Sequence, residues 1–413
     1  TEMTDDVAAH VLKDNYDQTL ALSVAQSRAA KDLDAHSRYI RDLERRGKLD
    51  RAVEFLPDDD GLRSRAKENR GLTRPELAVM LAYAKLDLDA ELNASDLPDD
   101  PYFASELAGY FPPAAVKRLP EELQRHRLKR EIVSTVLTNR LVNLGGPVLI
   151  QRVKEISGAP AWRVARATVV AEGAFGLSAL KSRIDALDYR VDANVQIGMY
   201  ADIAELLRRL GLWFLANVPA NAELADITAL YRGGVETLRG NFSSLISEYE
   251  AHDTEARIAD LQKAGAPLDI AEDVAVLPLM GSAPEIALLA HNRGLAIDLV
   301  AGAYFAIGAT VGLDRLRGLA SRIVSLEHWD RLAIRRIVDD LFAGQRALTA
   351  QALDGAKTGT RQDGANAVAN WAQAHDDTVS RTRAFLSELE RGGELSIAKL
   401  TLANSQIHQL AGL

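Results

Sequence analysis

"RGLTRPELAVMLAYAKLDL", residues 70–88, reads as one completely specified helix. Thr73 is a good N-cap and Glu76 stands three residues on, the pattern of a capping box. Leu72 before the cap and Leu77 inside it form a hydrophobic staple. Pro75 falls in the first turn, where its missing N–H costs nothing. Leu77, Val79, Met80, Leu81, Ala84 and Leu88 then supply a broad apolar stripe at helical spacing. No residue of the stretch carries obvious chemistry, so the reading is a core helix.

The same period runs through the rest of the chain. Ala and Leu abound, aromatic residues are only 6%, and β-branched alternation is scarce. No βαβ succession is visible, so the predicted class is all-α: multi-helix, bundle-like domains. A long helix is expected over about 4–46, with Thr4 as cap and a stop near Gly47. "LPDDDGL" (56–62) reads as a loop, followed by the helix quoted above, to about Leu92. "ASDLPDDPY" (94–102) and "YFPPAA" (110–115) read as links. A helix from about Glu121 to Asn143 should stop at "GGP" (145–147). Further breaks are expected at 216–226, 262–273 and 356–367, with final helices over roughly 368–391 and 396–411. These signals suggest three parts: 1–150, 151–265 and 266–413.

Self-comparison adds a repeat. "GAPAWRVARATVVAEGAFGLSAL" (158–180) lies without a gap over "GLAIDLVAGAYFAIGATVGLDRL" (294–316), an offset of 136 with seven of 23 positions identical. With a three-residue insertion, "RIDALD" (183–188) then matches "RIVSLE" (322–327). The alternative is chance likeness between Ala- and Leu-rich helices, but Gly-Leu pairs in register are hard to obtain from composition alone. A duplicated helical motif over 158–188 and 294–327 is therefore expected, each copy reading helix, Gly break, helix, "GL" turn, helix.

Composition excludes several functions. The 413 residues include 47% hydrophobic and 26% charged residues, enough for a sizeable core and about two to four globular units. The net charge of −9 gives no basic field for gathering phosphates, so nucleic acid is not an expected partner. There is no cysteine, which removes disulfides, thiolate metal sites and cysteine nucleophiles. The most apolar window, Gly294 to Leu313, contains Asp298 and four glycines and reads as a buried helix, not a membrane span. No secretory signal is visible, and a cytoplasmic location is expected. The first residue is Thr1, not methionine, which suggests a piece of a longer polypeptide.

Constellations with chemistry are scarce. The histidines at 10, 36, 126, 252, 291, 328, 375 and 408 are dispersed, none at i+3 or i+4 from another. No GxGxxG after a strand, no GxxxxGK[ST] and no GxSxG is present. The carboxylates Asp58-Asp59-Asp60, Asp99-Asp100, Asp339-Asp340 and Asp376-Asp377 read as capping or solvated groups. Arg125, His126, Lys129 and Arg130, with Lys117 and Arg118 upstream, can share a basic face. That face is either solvated or set against an anionic ligand or acidic neighbour. Asp185 and Asp188 sit among apolar residues, as ion-pair partners of an arginine or as helix caps. No catalytic, cofactor-binding or metal-ligating residue is assigned.

Several long stretches resemble the large bacterial NAD-specific glutamate dehydrogenases, in the region after their catalytic domain. They are "MTDDVAAHVLKDNYDQTLALS" (3–23), "RAVEFLPDD" (51–59), the helix at 70–88, "SDLPDDPYFASELAGYFP" (95–112), "LKREIVSTVLTNRLVNLGGP" (128–147), "FGLSAL" (175–180), "YFAIGATVGLDRL" (304–316) and "HWDRLAIRRIVDDLFAGQRALT" (328–349). The resemblance covers nearly the whole chain, is strongest over 3–150 and loosens after about 350. It implies a parent enzyme that oxidatively deaminates L-glutamate to 2-oxoglutarate with reduction of NAD. In that family a glycine loop with lysines binds substrate and a Rossmann fold holds the dinucleotide. Neither motif occurs here, so the resemblance implies a region without cofactor or activity of its own, serving assembly, bracing or regulation. Its implied partners are the catalytic domain of the same polypeptide and further copies of the whole enzyme. A stand-alone helical scaffold and a self-sufficient all-α enzyme are the alternatives.

Overall fold

The computed structural model describes residues 3–240, 244–321, 323, 328–391, 393 and 395–412. Its regular elements are helices, and no strand occurs among the described residues. The chain is all-α. It divides into two compact units, one of residues 1–229 with 264–266, the other of 230–263 with 267–413.

The first unit runs α1 (Thr4–Ser27), α2 (Ala29–Arg45), α3 (Asp59–Lys67), α4 (Arg74–Asn93), α5 (Ala104–Tyr110), α6 (Pro113–Arg118), α7 (Pro120–Gln124), α8 (Lys129–Gly145), α9 (Leu149–Ser157), α10 (Ala161–Phe175), α11 (Leu177–Asp185) and α12 (Ala193–Asn217). The division falls inside α13 (Leu224–Arg239). The second unit continues with α14 (Glu248–Lys263), α15 (Leu268–Ala275), α16 (Leu277–Met280), α17 (Ala283–Arg293), α18 (Ile297–Val311), α19 (Leu313–Ser321), α20 (His328–Ala352), α21 (Arg361–Ala374), α22 (Asp376–Arg391) and α23 (Ile397–Ala411). Where loop signals suggest boundaries after 150 and 265, the compact units divide near 229 and 266. Residues beyond 150 stay with the first unit because α10 packs on α4, α8 and α12, and α12 packs on α1 and α8.

The quoted stretch is α4, and its local rules operate as read. Glu76 accepts a hydrogen bond from the Thr73 N–H at 2.7 Å and closes the capping box. Arg65 of α3 grips the same carboxylate from outside, with Nη2 2.9 Å from Oε1. Leu72, Leu77, Met80, Leu81, Ala84, Leu88 and Leu92 are buried. Gly71 has a packing reason: a Cβ there would stand 2.1 Å from the backbone carbon of Ala29, at the start of α2.

One member of α4 does carry charge into the interior. Asp87 is 7% exposed and accepts two hydrogen bonds from the Arg46 guanidinium, each 2.7 Å, with Lys48 and the Tyr39 hydroxyl alongside. Burial alone would raise its pKa, but Arg46 and Lys48 outweigh that and bring it down to about 2. The carboxylate fastens α4 to α2 and to the turn that ends it.

Other segments depart from expectation. The helix expected over 4–46 is broken at Arg28, whose φ of −104° and ψ of 2° close α1 and open α2. The expected loop 56–62 contains the start of α3, because Asp58 caps it and accepts from the Gly61 N–H at 2.7 Å. The helix expected from Glu121 is two helices, α7 and α8, separated by a turn over 125–128. The helix expected over 368–391 breaks at His375, whose Nδ1 lies 2.8 Å from the Trp371 carbonyl.

The two stretches aligned as a repeat have matching helix lengths. Gly158 and Gly294 both adopt left-handed φ, 69° and 62°. Each precedes a 15-residue helix, α10 and α18, ended by a second left-handed glycine, Gly176 and Gly312. Nine-residue helices follow at once, α11 and α19, and then 25-residue helices, α12 and α20. The offset of 136 holds to the ends of α11 and α19, Asp185 and Ser321, without an insertion. The stretch "RIVSLE" (322–327) lies outside the described residues apart from Ile323. Both 15-residue helices are buried nearly all round, α18 with Leu299, Val300, Ala301, Tyr304 and Ile307 among its buried residues. No single helix among the described residues is long and apolar enough to cross a membrane.

In the second unit, α18 and α21 meet at backbone distance. A Cβ on Gly302 would lie 2.1 Å from the Arg361 carbonyl oxygen, and one on Gly364 would lie 2.1 Å from the Leu299 carbonyl oxygen. Neither oxygen can swing away as a side chain does. Gly302→Ala or Gly364→Ala should therefore lower unfolding free energy by about 3 kcal/mol in urea titrations. Gly233→Ala, in the exposed interior of α13 with open space around it, should raise stability by about 0.5–1 kcal/mol. Asp87→Asn should cost about 2 kcal/mol at pH 7, following the drop of its carboxyl from 3.8 to about 2. That stabilisation is present above pH 4 and lost as pH falls through 2, so the difference between variant and parent should shrink in acid.

Candidate functional site

The groups singled out in the sequence mostly have structural employment. Asp59 pairs with Arg51 at 3.0 Å and with Arg41 at 3.2 Å, and Asp60 pairs with Arg63. Asp99 pairs with Arg130, and Asp100 caps the 3₁₀ turn at Pro101–Phe103 by accepting from the Tyr102 N–H at 2.9 Å. Asp340 meets Arg336 at 3.3 Å, and Asp376 accepts from the Ser380 hydroxyl at 3.1 Å. The expected basic face does not form on one helix. Arg125 and His126 lie in the turn before α8, where the Leu128 N–H donates to His126 Nδ1 at 3.2 Å. Arg130 instead ties down the carbonyls of Asn93 and Ser95.

Asp185 is an ion-pair partner, but of lysines. It receives Lys181 at 2.9 Å, Lys13 at 3.2 Å and the Tyr200 hydroxyl at 2.8 Å. Asp188 accepts from Gln196 Nε2 at 3.2 Å. Lys13 and Lys181 also stand over the Tyr16 ring, 5.3 and 5.7 Å from its centre. This cluster pins α1 to α11 and α12. Among the described residues no group of three or more His, Cys, Asp or Glu is placed to hold a metal ion.

A different place in the first unit gathers polar groups that are not all matched. The break at Arg28 turns the chain between α1 and α2. The stop after α8 needs both glycines: Gly145 lies hard against Leu149, and Gly146 takes φ 84° and ψ 171°, a conformation open in practice only to glycine. Pro147 then leads into α9. These two turns, with the middle of α12, enclose a cleft lined by Arg28, Asp32, His36, Asn143, Arg152, Glu205 and Arg208, with apolar walls from Ala21, Ala25, Val148 and Leu149. Its enclosed volume is about 40 Å³. At 10–15 Å³ per molecule, that is room for about three waters.

Asp32, 7% exposed, is the hub. Arg152 Nη2 lies 2.7 Å from it and Arg28 Nε 3.3 Å. Burial would raise its carboxyl, but the two arginines outweigh this and keep it low. Arg28 also faces Glu205 at 3.6 Å, and Arg208 pairs with Glu205 one turn along α12. Three guanidinium groups thus stand against two carboxylates. One helical turn from Asp32, His36 is 1% exposed, and neither ring nitrogen has a hydrogen-bond partner. Burial drives its pKa down from 6.5 to about 4; Asp32 opposes the shift and Arg152 adds to it. At neutral pH the ring is uncharged, with one N–H donor and one acceptor nitrogen. The Asn143 Oδ1 atom is likewise buried without a donor.

The cleft has the composition of a binding place for a small polar group. Sequence brings Arg28, Asp32 and His36 together, and Glu205 with Arg208, but it brings neither group to the other or to Asn143 and Arg152, which is why the sequence reading missed the cleft. The isolated His36 gave no ligand spacing, and "GGP" read only as a stop.

His36 makes the first unit acid-sensitive. Its folded pKa lies below its unfolded one, so between pH 6.5 and 4 the unfolded chain binds a proton that the folded chain refuses. Stability should fall on acidification across that window by up to about 3 kcal/mol. His36→Asn should flatten the profile there, as read by urea midpoints at half-unit pH steps.

Comparison with known proteins places the chain in context. The family model described as "Glutamate dehydrogenase, C-terminal" matches residues 69–409. The NAD-specific glutamate dehydrogenase of Pseudomonas aeruginosa is 36% identical over 414 residues, covering 99% of this chain and 25% of that protein. Those of Halomonas elongata and Mycobacterium tuberculosis are 34% and 30% identical, again over 99% of this chain and 25% of their own lengths. The chain thus spans about a quarter of the length of the curated relatives it matches.

Proposed function

Because the chain belongs to the glutamate dehydrogenase C-terminal family, we propose that it is the non-catalytic helical region of an NAD-dependent glutamate dehydrogenase. The observation that carries this reading is the disproportion of the match: almost all of this chain, against a quarter of each relative. The parent reaction is the oxidative deamination of L-glutamate to 2-oxoglutarate with reduction of NAD, and the cofactor is held elsewhere in the polypeptide. The helical region serves the assembly, bracing or regulation of the catalytic domain, in a cytoplasmic homo-oligomer that breaks down glutamate.

The physical argument for bracing lies in the stiffness of each unit. Cores closed by left-handed glycines, backbone contact between α18 and α21, and ion pairs such as that of Asp87 give surfaces that hold their shape under load. An enzyme that closes on a dinucleotide needs such a surface to close against.

The test is NADH formation from glutamate and NAD by the full-length protein and by residues 1–413 alone. Turnover by the full-length protein and none by the fragment is expected. Turnover by the fragment would overturn the assignment of a non-catalytic region, and inactivity of the full-length protein would overturn the reaction. Light scattering of the full-length protein with this region deleted then separates the roles. Fewer subunits per particle indicates assembly, and an unchanged subunit number with lowered kcat indicates bracing.

A further inference from the structure

We propose that the Arg28–Arg152–Arg208 cleft of the first unit binds a small, hydroxyl-bearing oxyanion of the hydrogenphosphate type. The inference goes beyond the proposed function, since it concerns binding by residues of this chain and is read without reference to dehydrogenase turnover.

Charge is the first argument. Three guanidinium groups line the cleft, and two of them, Arg28 and Arg152, share the single carboxylate of Asp32. The Arg28 and Arg152 side chains are only 18% and 16% exposed. Cations held this far from water and sharing one carboxylate favour a further counter-charge within reach. Guanidinium forks match the spacing of oxyanion oxygens, and their N–H groups not spent on Asp32 are donors.

The orphaned polar atoms are the second argument and stand apart from the first. His36 lines the cleft, is 1% exposed, and has no hydrogen-bond partner on either nitrogen. Asn143 lines the same cleft, and its Oδ1 is buried without a donor. A buried acceptor rejects a bare anion but welcomes one that carries a hydroxyl. A hydrogenphosphate ion offers both faces: oxygens that accept from arginine and from the His36 N–H, and a P–OH that donates to Asn143 Oδ1. Its size suits the enclosed volume, where it would take the place of about three waters. Sulfate has the same shape and charge but, near neutrality, no hydroxyl to donate.

The test is isothermal titration of residues 1–413 with inorganic phosphate, sulfate and chloride at matched ionic strength and pH 7, with ³¹P line broadening as a direct second readout. Saturable phosphate binding is expected, half-complete at about 1 mM. Sulfate should bind about tenfold more weakly for want of one hydrogen bond, and chloride should not saturate. Asn143→Leu should abolish the preference for phosphate over sulfate, and Arg28→Gln should weaken both. Should either variant fail to fold, the order of the three anions on the unaltered chain still decides. Equal weak effects of all three anions, or phosphate binding that survives both substitutions, would overturn the proposal.

Discussion

A helix that ends inside a core leaves carbonyls with no water to receive, and the chain must satisfy them within a residue or two. In both units a left-handed glycine does this. The Gly176 N–H returns to the Glu172 carbonyl, and the Gly312 N–H to the Gly308 carbonyl. Each glycine then serves as the first cap of the next helix, so the chain turns without a loop. After Gly312 the new helix departs at 74° from the old one. With any other residue at that φ the turn would be strained. The buried helices α10 and α18, and everything packed around them, rest on these two glycine turns.

The rest of the architecture follows from small residues and caged charges. With few aromatic rings available, density comes from close helix approach, as at Gly71 against Ala29 and Gly302 against Arg361. The charges drawn inside are paired tightly enough to remain charged. Asp87 with Arg46 and Asp32 with Arg152 both keep carboxyls low despite burial.

Much of this was legible in the order of residues. The α4 capping box, the "GGP" stop and the register of Gly176 with Gly312 depend on neighbours along the chain, and local rules reach them. The break at Arg28 was not legible, because no glycine or proline marks it and the turn is set by what the helices on either side pack against. The start of α3 was hidden because three aspartates and a glycine spell a loop, although Asp58 is a cap. The split between α7 and α8 was missed because helical spacing of Arg125, His126, Lys129 and Arg130 says nothing about where a turn intrudes. The cleft was furthest from view: Arg28, Asn143, Arg152 and Arg208 come from four separate segments, and only the folded unit assembles them.

The glycine contact between α18 and α21 has a mechanical consequence. Most helix pairs are separated by a layer of side chains that can shift rotamers and absorb a push. Here the carbonyl of Leu299 bears on Gly364, and that of Arg361 on Gly302, with nothing compliant between. The two helices form a single strut: a displacement of one, along the line of contact, is delivered to the other almost undiminished, where a cushioned pair would dissipate it.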